Sequence, residues 1–134
     1  MAQVNISRQP DYSDLDLDFQ INPITGDINK KKGVDAVKRS LRNLIFTSYY
    51  ERPFNSSIGS DVPKLLFDNV DLVTASLLED ALKRLINIYE PRVQLTSLVV
   101  FADIDNHGFN VQMEYIILNT ETPATFNIFL ERIR

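Results

Sequence analysis

Residues 74–93, TASLLEDALKRLINIYEPRV, contain the change of pattern that decides the fold. Up to Tyr89 the apolar residues recur every three or four positions, which is the spacing of one face of an α-helix. Pro91 then ends the helix, because proline holds its own φ near about −65° and keeps Glu90 out of helical geometry. We predict a helix from Thr74 to Tyr89, whose apolar face is formed by Leu77, Leu78, Ala81, Leu82, Leu85 and Ile86.

The start of this helix has two candidate caps. Thr74 can serve as the N-cap, and Ser76 with Glu79 has the spacing of a capping box. At the other end, Glu90, Pro91 and Arg92 form what we call the Glu-Pro-Arg junction. It can present a carboxylate and a guanidinium on a stiffened backbone, which is a shape suited to docking.

The chain after this junction predicts three strands, over residues 93–104, 109–118 and 124–133. In the middle strand Phe109, Val111, Met113, Tyr115 and Ile117 alternate with polar residues, and residues 105–108, DNHG, have hairpin-turn chemistry. We expect an antiparallel meander with helices on one face. The last strand is expected at an edge, where unpaired N–H and C=O groups can bind another molecule.

The N-terminal half predicts further elements. Residues 34–45 have helical spacing, and Ser60 can cap a short helix through Phe67 that is anchored by Leu65, Leu66 and Phe67. Over residues 14–21 the chain alternates aspartate or glutamine with apolar residues, which predicts a strand with one wet face. A turn at residues 23–27 then leads to a short second strand that begins near Ile28.

These elements predict an α+β fold: a C-terminal three-stranded antiparallel meander plus N-terminal strands, packed against two longer helices and one short helix. Residues 1–13 are expected to form an extended arm, and residues 14–134 a single domain. The 134 residues, 44% hydrophobic and 24% charged, suffice for one core. No apolar run reaches the roughly 18 residues of a membrane span, and we expect a soluble protein.

Composition excludes several kinds of chemistry. The chain has no Cys and one His, so we expect no thiol nucleophile, no transition-metal site and no cofactor. His107 is interpreted as a turn residue. Asp14, Asp16 and Asp18 resemble a calcium loop, but Phe19 stands where that loop needs glycine. Two carboxylates suffice for a glycosidase, and the candidates are Glu51, Asp61, Glu90 and Glu114.

The charge is unevenly distributed. The net charge is −4, yet half of the 14 Lys and Arg residues lie between positions 30 and 52. This basic block consists of Lys30, Lys31, Lys32, Lys38, Arg39, Arg42 and Arg52. It is either a solvated helix face or a docking surface for an acidic neighbour, which could be a second copy or another protein.

Residues 47–69, TSYYERPFNSSIGSDVPKLLFDN, followed by the long helix and Tyr89-Glu90-Pro91-Arg92-Val93, resemble the baseplate wedge protein family of contractile phage tails. Relatives occur in type VI secretion baseplates, and some are labelled lysozyme-like. The resemblance extends over roughly residues 15–134. Tyr50 and Ile58 depart from the family pattern, which has glycine and an aromatic residue there.

The resemblance implies a structural role in the virion tail baseplate, with assembly in the host cytoplasm. It implies contacts to other wedge proteins through Glu90, Pro91 and Arg92, together with Arg52, Pro53 and Phe54. It also implies sheath initiation, by strand exchange with the tail sheath protein, through a C-terminal strand made of Ala124, Thr125, Phe126, Asn127, Ile128, Phe129, Leu130, Glu131, Arg132, Ile133 and Arg134. Tail tube or hub proteins are further candidate partners, whereas nucleic acid and membrane are not expected.

Two other functions remain open from the sequence. One is a peptidoglycan-cleaving, lysozyme-like glycosidase that uses the carboxylates named above. The other is a bacterial regulatory binding protein that shares the fold. Since Glu90 lies beside Arg92, we interpret it as an ion-paired residue rather than a catalytic acid.

Overall fold

The computed structural model describes residues 11–134, which form eight helices and strands. In chain order these are β1 (Ser13–Leu15), β2 (Lys30–Lys32), α1 (Gly33–Phe46), α2 (Val62–Leu65), α3 (Leu72–Tyr89), β3 (Val93–Asp103), β4 (Gly108–Ile117) and β5 (Thr122–Glu131). The first two strands pair with each other, and the last three form an antiparallel sheet in the order β3-β4-β5. The predicted α+β fold and the C-terminal meander are confirmed.

The core lies between one face of this sheet and the helices. Along β4 every second side chain is buried, as the alternation predicts, and these are Phe109, Val111, Met113, Tyr115 and Ile117. The helix α3 packs against β3, and both α1 and α2 pack against α3. Burying one large apolar side chain contributes roughly 1.5–3 kcal/mol, so the β4 row is a major source of stability.

The caps of the helices differ from the prediction. Neither Thr74 nor Ser76 caps α3, because the helix begins earlier and Asp71 Oδ1 accepts the N–H of Thr74 at 2.7 Å. Ser60 does not cap α2 either, since its buried hydroxyl donates to the carbonyl of Ile45 at 3.1 Å. The sequence pattern located polar residues near the starts of α2 and α3. It did not show which side-chain oxygen bonds to the free N–H groups of the first helical turn.

The helix faces also differ in detail. Leu78, Leu82, Leu85 and Ile86 of α3 are buried, but Leu77 is half exposed. In the α2 region Leu66 is buried, whereas Phe67 lies mostly outside the core that it was predicted to anchor. The apolar residues at helical spacing therefore form a wider face than the part of each helix that packs against the core.

The prediction of a strand over residues 14–21 is wrong in two respects: the strand is shorter, and the apolar side chains face solvent instead of the core. The strand β1 ends at Leu15, a turn follows, and Ile21 makes only an isolated bridge to Ile28. The apolar residues Leu15, Leu17, Phe19 and Ile21 are exposed, while Asp16 is only 4% exposed. Asp16 is buried and Asp14 partly buried, whereas Asp18 and Gln20 are exposed, so the alternation holds only as far as Asp16 and with the aspartates on the inner side.

The remaining boundaries are close to those predicted. The turn at residues 22–27 is present, with the Gly26 N–H donating to the carbonyl of Asn22 at 2.8 Å. The last strand runs from Thr122 to Glu131 and not to Ile133, and it lies at a sheet edge as expected. Most of the predicted arm, residues 1–10, lies outside the described residues, and Ser13 belongs to β1. The division into arm and domain stays a prediction.

Candidate functional site

Glu90 lies at the C-cap of α3, and its side chain points into the protein. The residue is 3% exposed. Its Oε2 accepts a hydrogen bond from the Ser40 hydroxyl of α1 at 2.5 Å, and its backbone N–H donates to the carbonyl of Ile86 at 3.0 Å. A buried carboxylate requires partners of this kind, because an unpaired one loses its hydration without compensation. Glu90 therefore joins α1 to the end of α3.

Arg92 provides the counter-charge from the first residue after Pro91. Its Nε donates to Glu90 Oε1 at 2.6 Å and its Nη2 to Glu90 Oε2 at 3.0 Å, which is a two-bond pairing. Its Nη1 donates to both oxygens of Asp14, at 3.1 and 3.2 Å. The guanidinium carbon also lies 5.4 Å from the centre of the Tyr12 ring, within cation–π range.

These contacts correct the picture of an exposed charged junction. Hydrogen bonding to the Glu90 carboxylate is the main cause that raises the pKa of Arg92, with the charges of Glu90 and Asp14 adding to it. Of the three junction residues, only Pro91 is exposed. The Glu-Pro-Arg junction therefore holds the N-terminal segment, α1 and the α3–β3 connection together, and it does not present its carboxylate to solvent.

Arg52, Pro53 and Phe54 lie in a loop, residues 48–60, that is closed by hydrogen bonds of its own. The Tyr50 N–H donates to the Ser56 carbonyl at 3.0 Å, and the Ser60 N–H donates to the Thr47 carbonyl at 3.0 Å. Arg52, Pro53 and Phe54 are exposed, and the Phe54 side chain is completely so. The loop is thus an ordered platform for an unburied aromatic ring.

Gly59 allows this loop to close. A Cβ at this position would lie 2.5 Å from the Tyr49 nitrogen and 2.6 Å from the Ser48 carbonyl carbon. Both atoms belong to the backbone and cannot rotate away. The close approach of the two ends of the loop, where Ser48 bridges Ser60, thus requires glycine.

Tyr89 connects this loop to the junction. Its hydroxyl donates to the Ser57 carbonyl at 2.6 Å, and Glu90 follows it directly in the chain. Tyr89 and Arg52 line a surface cleft of about 500 Å³ that Asp14 and Ser40, the partners of Arg92 and Glu90, also line. One cleft is thus lined by Arg52 of this loop and by two residues that hold the Glu-Pro-Arg junction.

The strand β5 has one free edge. The Arg132 N–H donates to the His107 carbonyl of the adjoining hairpin, and the pairing of β4 with β5 has no irregularity. Along an antiparallel strand, successive residues direct their N–H and C=O groups alternately to one side of the strand and to the other. The even-numbered residues of β5 therefore bond to β4. The odd-numbered ones present their N–H and C=O groups to the open edge, and these are Thr125, Asn127, Phe129 and Glu131, all with exposed side chains.

The far end of this edge is covered. Beyond the strand, the Ile133 N–H points away from β4 and donates to the Leu66 carbonyl at 2.9 Å. Arg132 in turn donates to the Asn69 side chain at 3.3 Å. The predicted interaction strand of residues 124–134 thus divides into an open edge up to Glu131 and a tail that contacts the α2–α3 connection.

The comparison with known families identifies the chain. Residues 31–122 match the sequence profile of the family described as baseplate wedge protein gp25. The chain belongs to this family. It is thus a baseplate wedge protein of a contractile phage tail or a related particle, and its partners include other baseplate proteins.

Relatives of known sequence or structure agree with this family. Baseplate wedge protein gp25 of enterobacteria phage T4 is 27% identical over 108 residues, which cover 81% of each chain. A subunit in the structure of the anti-feeding prophage baseplate superimposes with a TM-score of 0.70 at 23% identity, covering 80% of this chain and 86% of that one. A Geobacter sulfurreducens protein, provisionally described as a tail lysozyme, superimposes with a TM-score of 0.67 at 20% identity, covering 73% and 89%.

The structural likeness shows a shared fold, and it does not assign an enzymatic activity to this chain. In this wedge protein the carboxylates considered for glycoside hydrolysis lie in surroundings that differ from one another. Both oxygens of Glu90 are occupied, Glu51 Oε2 accepts the Ser48 N–H at 2.8 Å, and Glu114 is exposed on the sheet. Residues 11–134 contain no group of acidic, His or Cys side chains that could hold a metal ion, and none of their helices has the length and composition of a membrane span.

Sequence reasoning missed three members of this wedge protein's cleft and junction. Ser40, Asp14 and Tyr12 all contact the Glu-Pro-Arg junction, although none is near it in the chain. A partial signal existed for Asp14, because residues 1–29 are acidic and favour pairing with cations elsewhere in the chain. No pattern in the sequence points to Ser40.

The basic block of this wedge protein is partly neutralised from within. Lys31 Nζ lies 3.7 Å from Asp16 Oδ2, and Arg39 Nη2 lies 2.7 Å from Asp18 Oδ1. The acidic neighbour that the sequence suggested is, for these two cations, the chain's own N-terminal segment. Among the described residues the other members, Arg52 included, make no ion pair.

Proposed function

We propose that the protein joins neighbouring wedge proteins in the baseplate and initiates assembly of the tail sheath through β5. The observation that carries the second part is the open edge at Thr125, Asn127, Phe129 and Glu131. An extended segment of a sheath subunit can add there as a fourth strand, since main-chain N–H and C=O groups are available for pairing. Assembly in the host cytoplasm precedes incorporation into the virion tail.

The wedge contact is assigned to the exposed part of the region around the cleft. Phe54 is the main anchor, because an exposed aromatic ring on an ordered loop loses little conformational entropy when a partner covers it. Arg52 and Pro53 border it, and Pro91 supplies the exposed part of the Glu-Pro-Arg junction. Glu90 and Arg92 support this surface from beneath.

The same geometry supports an assembly role without catalysis. A general acid must approach the glycosidic oxygen within hydrogen-bonding distance. Glu90 has both oxygens engaged by Arg92 and Ser40 and is 3% exposed, so a sugar cannot reach it without breaking the ion pair. Turbidity clearing of purified cell walls by the wild-type protein and by Glu90→Gln tests this assignment, and clearing that is lost in Glu90→Gln would contradict it.

Deleting the last strand is not a usable test of sheath initiation. Phe126 and Leu130 of β5 are buried in the core, so removing residues 124–134 would unfold the domain. A sharper variant is Asn127→Pro, because proline removes one N–H from the open edge without removing a bond to β4. Asn127→Ala is its matched control, since it removes the same side chain and keeps the N–H group.

Each variant is to be assembled into baseplates, supplied with sheath protein and examined by negative-stain electron microscopy. We expect sheath rings on baseplates with wild-type protein and with Asn127→Ala, and at least about a tenfold lower ring count with Asn127→Pro. Normal sheath on Asn127→Pro baseplates that contain the full amount of this protein would overturn strand addition.

Phe54→Ala tests the wedge contact. Because the ring is fully exposed, this substitution should leave the melting temperature unchanged while lowering incorporation into wedges. Leu72→Ala is the control, as it also removes an exposed apolar side chain. Equal incorporation of both variants would show that Phe54 is not the anchor.

A further inference from the structure

The segment of residues 14–24 displays its apolar side chains outward. Leu15, Leu17, Phe19 and Ile21 are each about half or more exposed, and Ile24 is 92% exposed. Five large apolar side chains on so short a stretch are unusual for a surface that stays in water, and such concentrations mark interaction sites. We call residues 15–24 the apolar segment.

Ion pairs hold the segment in this orientation. Asp14 pairs with Arg92, Asp16 with Lys31 and Asp18 with Arg39. Every second residue from 14 to 18 is thus bound to a different part of the fold. Because side chains alternate in an extended chain, the partly buried Asp14 and the buried Asp16 place Leu15 outward, and Leu17 is exposed in the turn that follows. The backbone is tied as well.

Backbone hydrogen bonds fix the segment along its length. The Asp16 N–H donates to the Asn29 carbonyl and the Asn29 N–H donates to the Gln20 carbonyl, both at 2.9 Å. The outward display is therefore built into the fold before any partner binds. A preorganised apolar surface binds with a smaller entropy loss than a mobile one.

The apolar segment also forms part of the cleft described above. Leu15 and Leu17 contribute apolar lining, while Arg39, Asn43 and Arg52 contribute polar lining. Arg39 is already paired with Asp18, but Arg52 makes no ion pair within residues 11–134. One cleft thus offers an apolar part and an unpaired guanidinium.

We propose that the apolar segment and this cleft bind a segment of another baseplate protein that combines apolar side chains with carboxylates. Its apolar residues pack on Leu15, Leu17 and Phe19, and a carboxylate pairs with Arg52. Charge complementarity selects an acidic segment rather than a basic one. That the partner is a baseplate protein rests on the proposed function. The contact itself involves neither β5 nor the sheath.

The test uses overlapping synthetic peptides that cover the proteins encoded in the same tail gene cluster. Binding to the full-length chain is measured by fluorescence anisotropy, for wild type, for Leu17→Ser/Phe19→Ser and for Arg52→Glu. The matched control is Leu72→Ser/Val73→Ser, which removes two exposed apolar side chains at the start of α3. Sedimentation velocity of the same proteins reports whether the chain associates with itself.

We expect the bound peptides to contain both apolar and acidic residues. Their dissociation constants should rise at least about tenfold with the double variant and with Arg52→Glu, and stay within about twofold of wild type in the control. Absence of any bound peptide, selection of basic peptides, or unchanged binding by both variants would overturn the proposal. A wild-type dimer that Leu17→Ser/Phe19→Ser dissociates would also overturn it, because a second copy would then be the occupant.

These outcomes are separable from those for β5. Asn127→Pro retains the apolar segment, and the double variant retains the open edge. If the peptides bind as expected while Asn127→Pro baseplates form normal sheath, only sheath initiation fails. If peptide binding fails while the β5 variants behave as expected, only the apolar-segment proposal fails.

Discussion

The Glu90 carboxylate and the Arg92 guanidinium form an ion pair across Pro91, with donor–acceptor distances of 2.6 and 3.0 Å. Proline makes this pairing possible at a separation of two residues, since it turns the chain where α3 ends and brings Arg92 back toward Glu90. Ser40 and Asp14 complete the arrangement from α1 and from β1. The cleft lined by Asp14 and Ser40 and the start of β3 are thereby fixed to the same ion pair.

Replacing Arg92 by Ala should destabilise the fold strongly. The substitution leaves the buried Glu90 carboxylate without its counter-charge, and breaking a buried pair in this way costs about 3–5 kcal/mol. Arg92→Lys should cost less, about 1–2 kcal/mol, because lysine keeps the charge but cannot form the two parallel bonds. Urea unfolding followed by circular dichroism measures both values.

The exposed pair of Arg39 and Asp18 provides the comparison. The side chains of Arg39 and Asp18 are 31% and 52% exposed, so the pair is screened by water and Arg39→Ala should change the unfolding free energy by less than about 1 kcal/mol. Similar losses for Arg92→Ala and Arg39→Ala would contradict the structural role assigned to the junction.

The helices and the meander could be predicted because their signals are local. In β4 the apolar period alone identifies the buried face, in α3 it identifies most of it, and the turn residues around His107 mark the hairpin. His107 has a positive φ of 52°, a conformation that turn residues tolerate. The site was less accessible, because Glu90 is buried by contacts with Ser40, 50 positions away, and Arg92 is held by Asp14, 78 positions away.

The N-terminal segment shows a different limit of sequence reasoning. The alternation of aspartate with leucine establishes the period but not which set of side chains faces inward. The usual choice buries the apolar set, and here three cations reverse it by pairing with Asp14, Asp16 and Asp18. This reversal depends on where Lys31, Arg39 and Arg92 lie in the folded chain, which the period cannot reveal.

Tyr89→Phe should loosen the loop of residues 48–60 while changing global stability by less than about 1 kcal/mol. It removes only the hydrogen bond from the hydroxyl to the Ser57 carbonyl, and water can replace that donor at an exposed carbonyl. Amide hydrogen exchange at Tyr50 and Ile58, whose N–H groups bond within the loop, should become several-fold faster. Tyr49→Phe is the control, and equal acceleration by both variants would contradict the link.

Asp71 should make the fold sensitive to acid. Hydrogen bonds from Thr74 lower the pKa of its carboxyl below the ordinary value of 3.8. A lowered folded-state pKa contributes stability above the unfolded value, and this contribution is lost as the pH falls through the folded one. Asp71→Asn keeps an acceptor oxygen but cannot titrate, so its melting temperature should fall less than that of wild type between pH 7 and about pH 3. An identical fall in both proteins would contradict this role.

Tyr115 should ionise at a higher pH than an ordinary tyrosine. Burial raises the pKa of its hydroxyl to about 12, and the negative charges of Glu90 and Asp35 act in the same direction. Since the folded state holds this proton more tightly than the unfolded state, stability is complete below about pH 10 and declines as the pH rises toward about 12. Absorbance titration near the tyrosinate band should show a step near pH 12, and Tyr115→Phe should remove that step.

The same substitution has an effect at neutral pH. The Tyr115 hydroxyl is buried and has no hydrogen-bond partner among residues 11–134, so it carries a desolvation cost that phenylalanine avoids. Tyr115→Phe should therefore raise the unfolding free energy by about 1 kcal/mol, in contrast to the losses expected at Arg92. Urea unfolding at pH 7 measures this change, and a destabilised Tyr115→Phe variant would show that the hydroxyl has a partner in the folded protein.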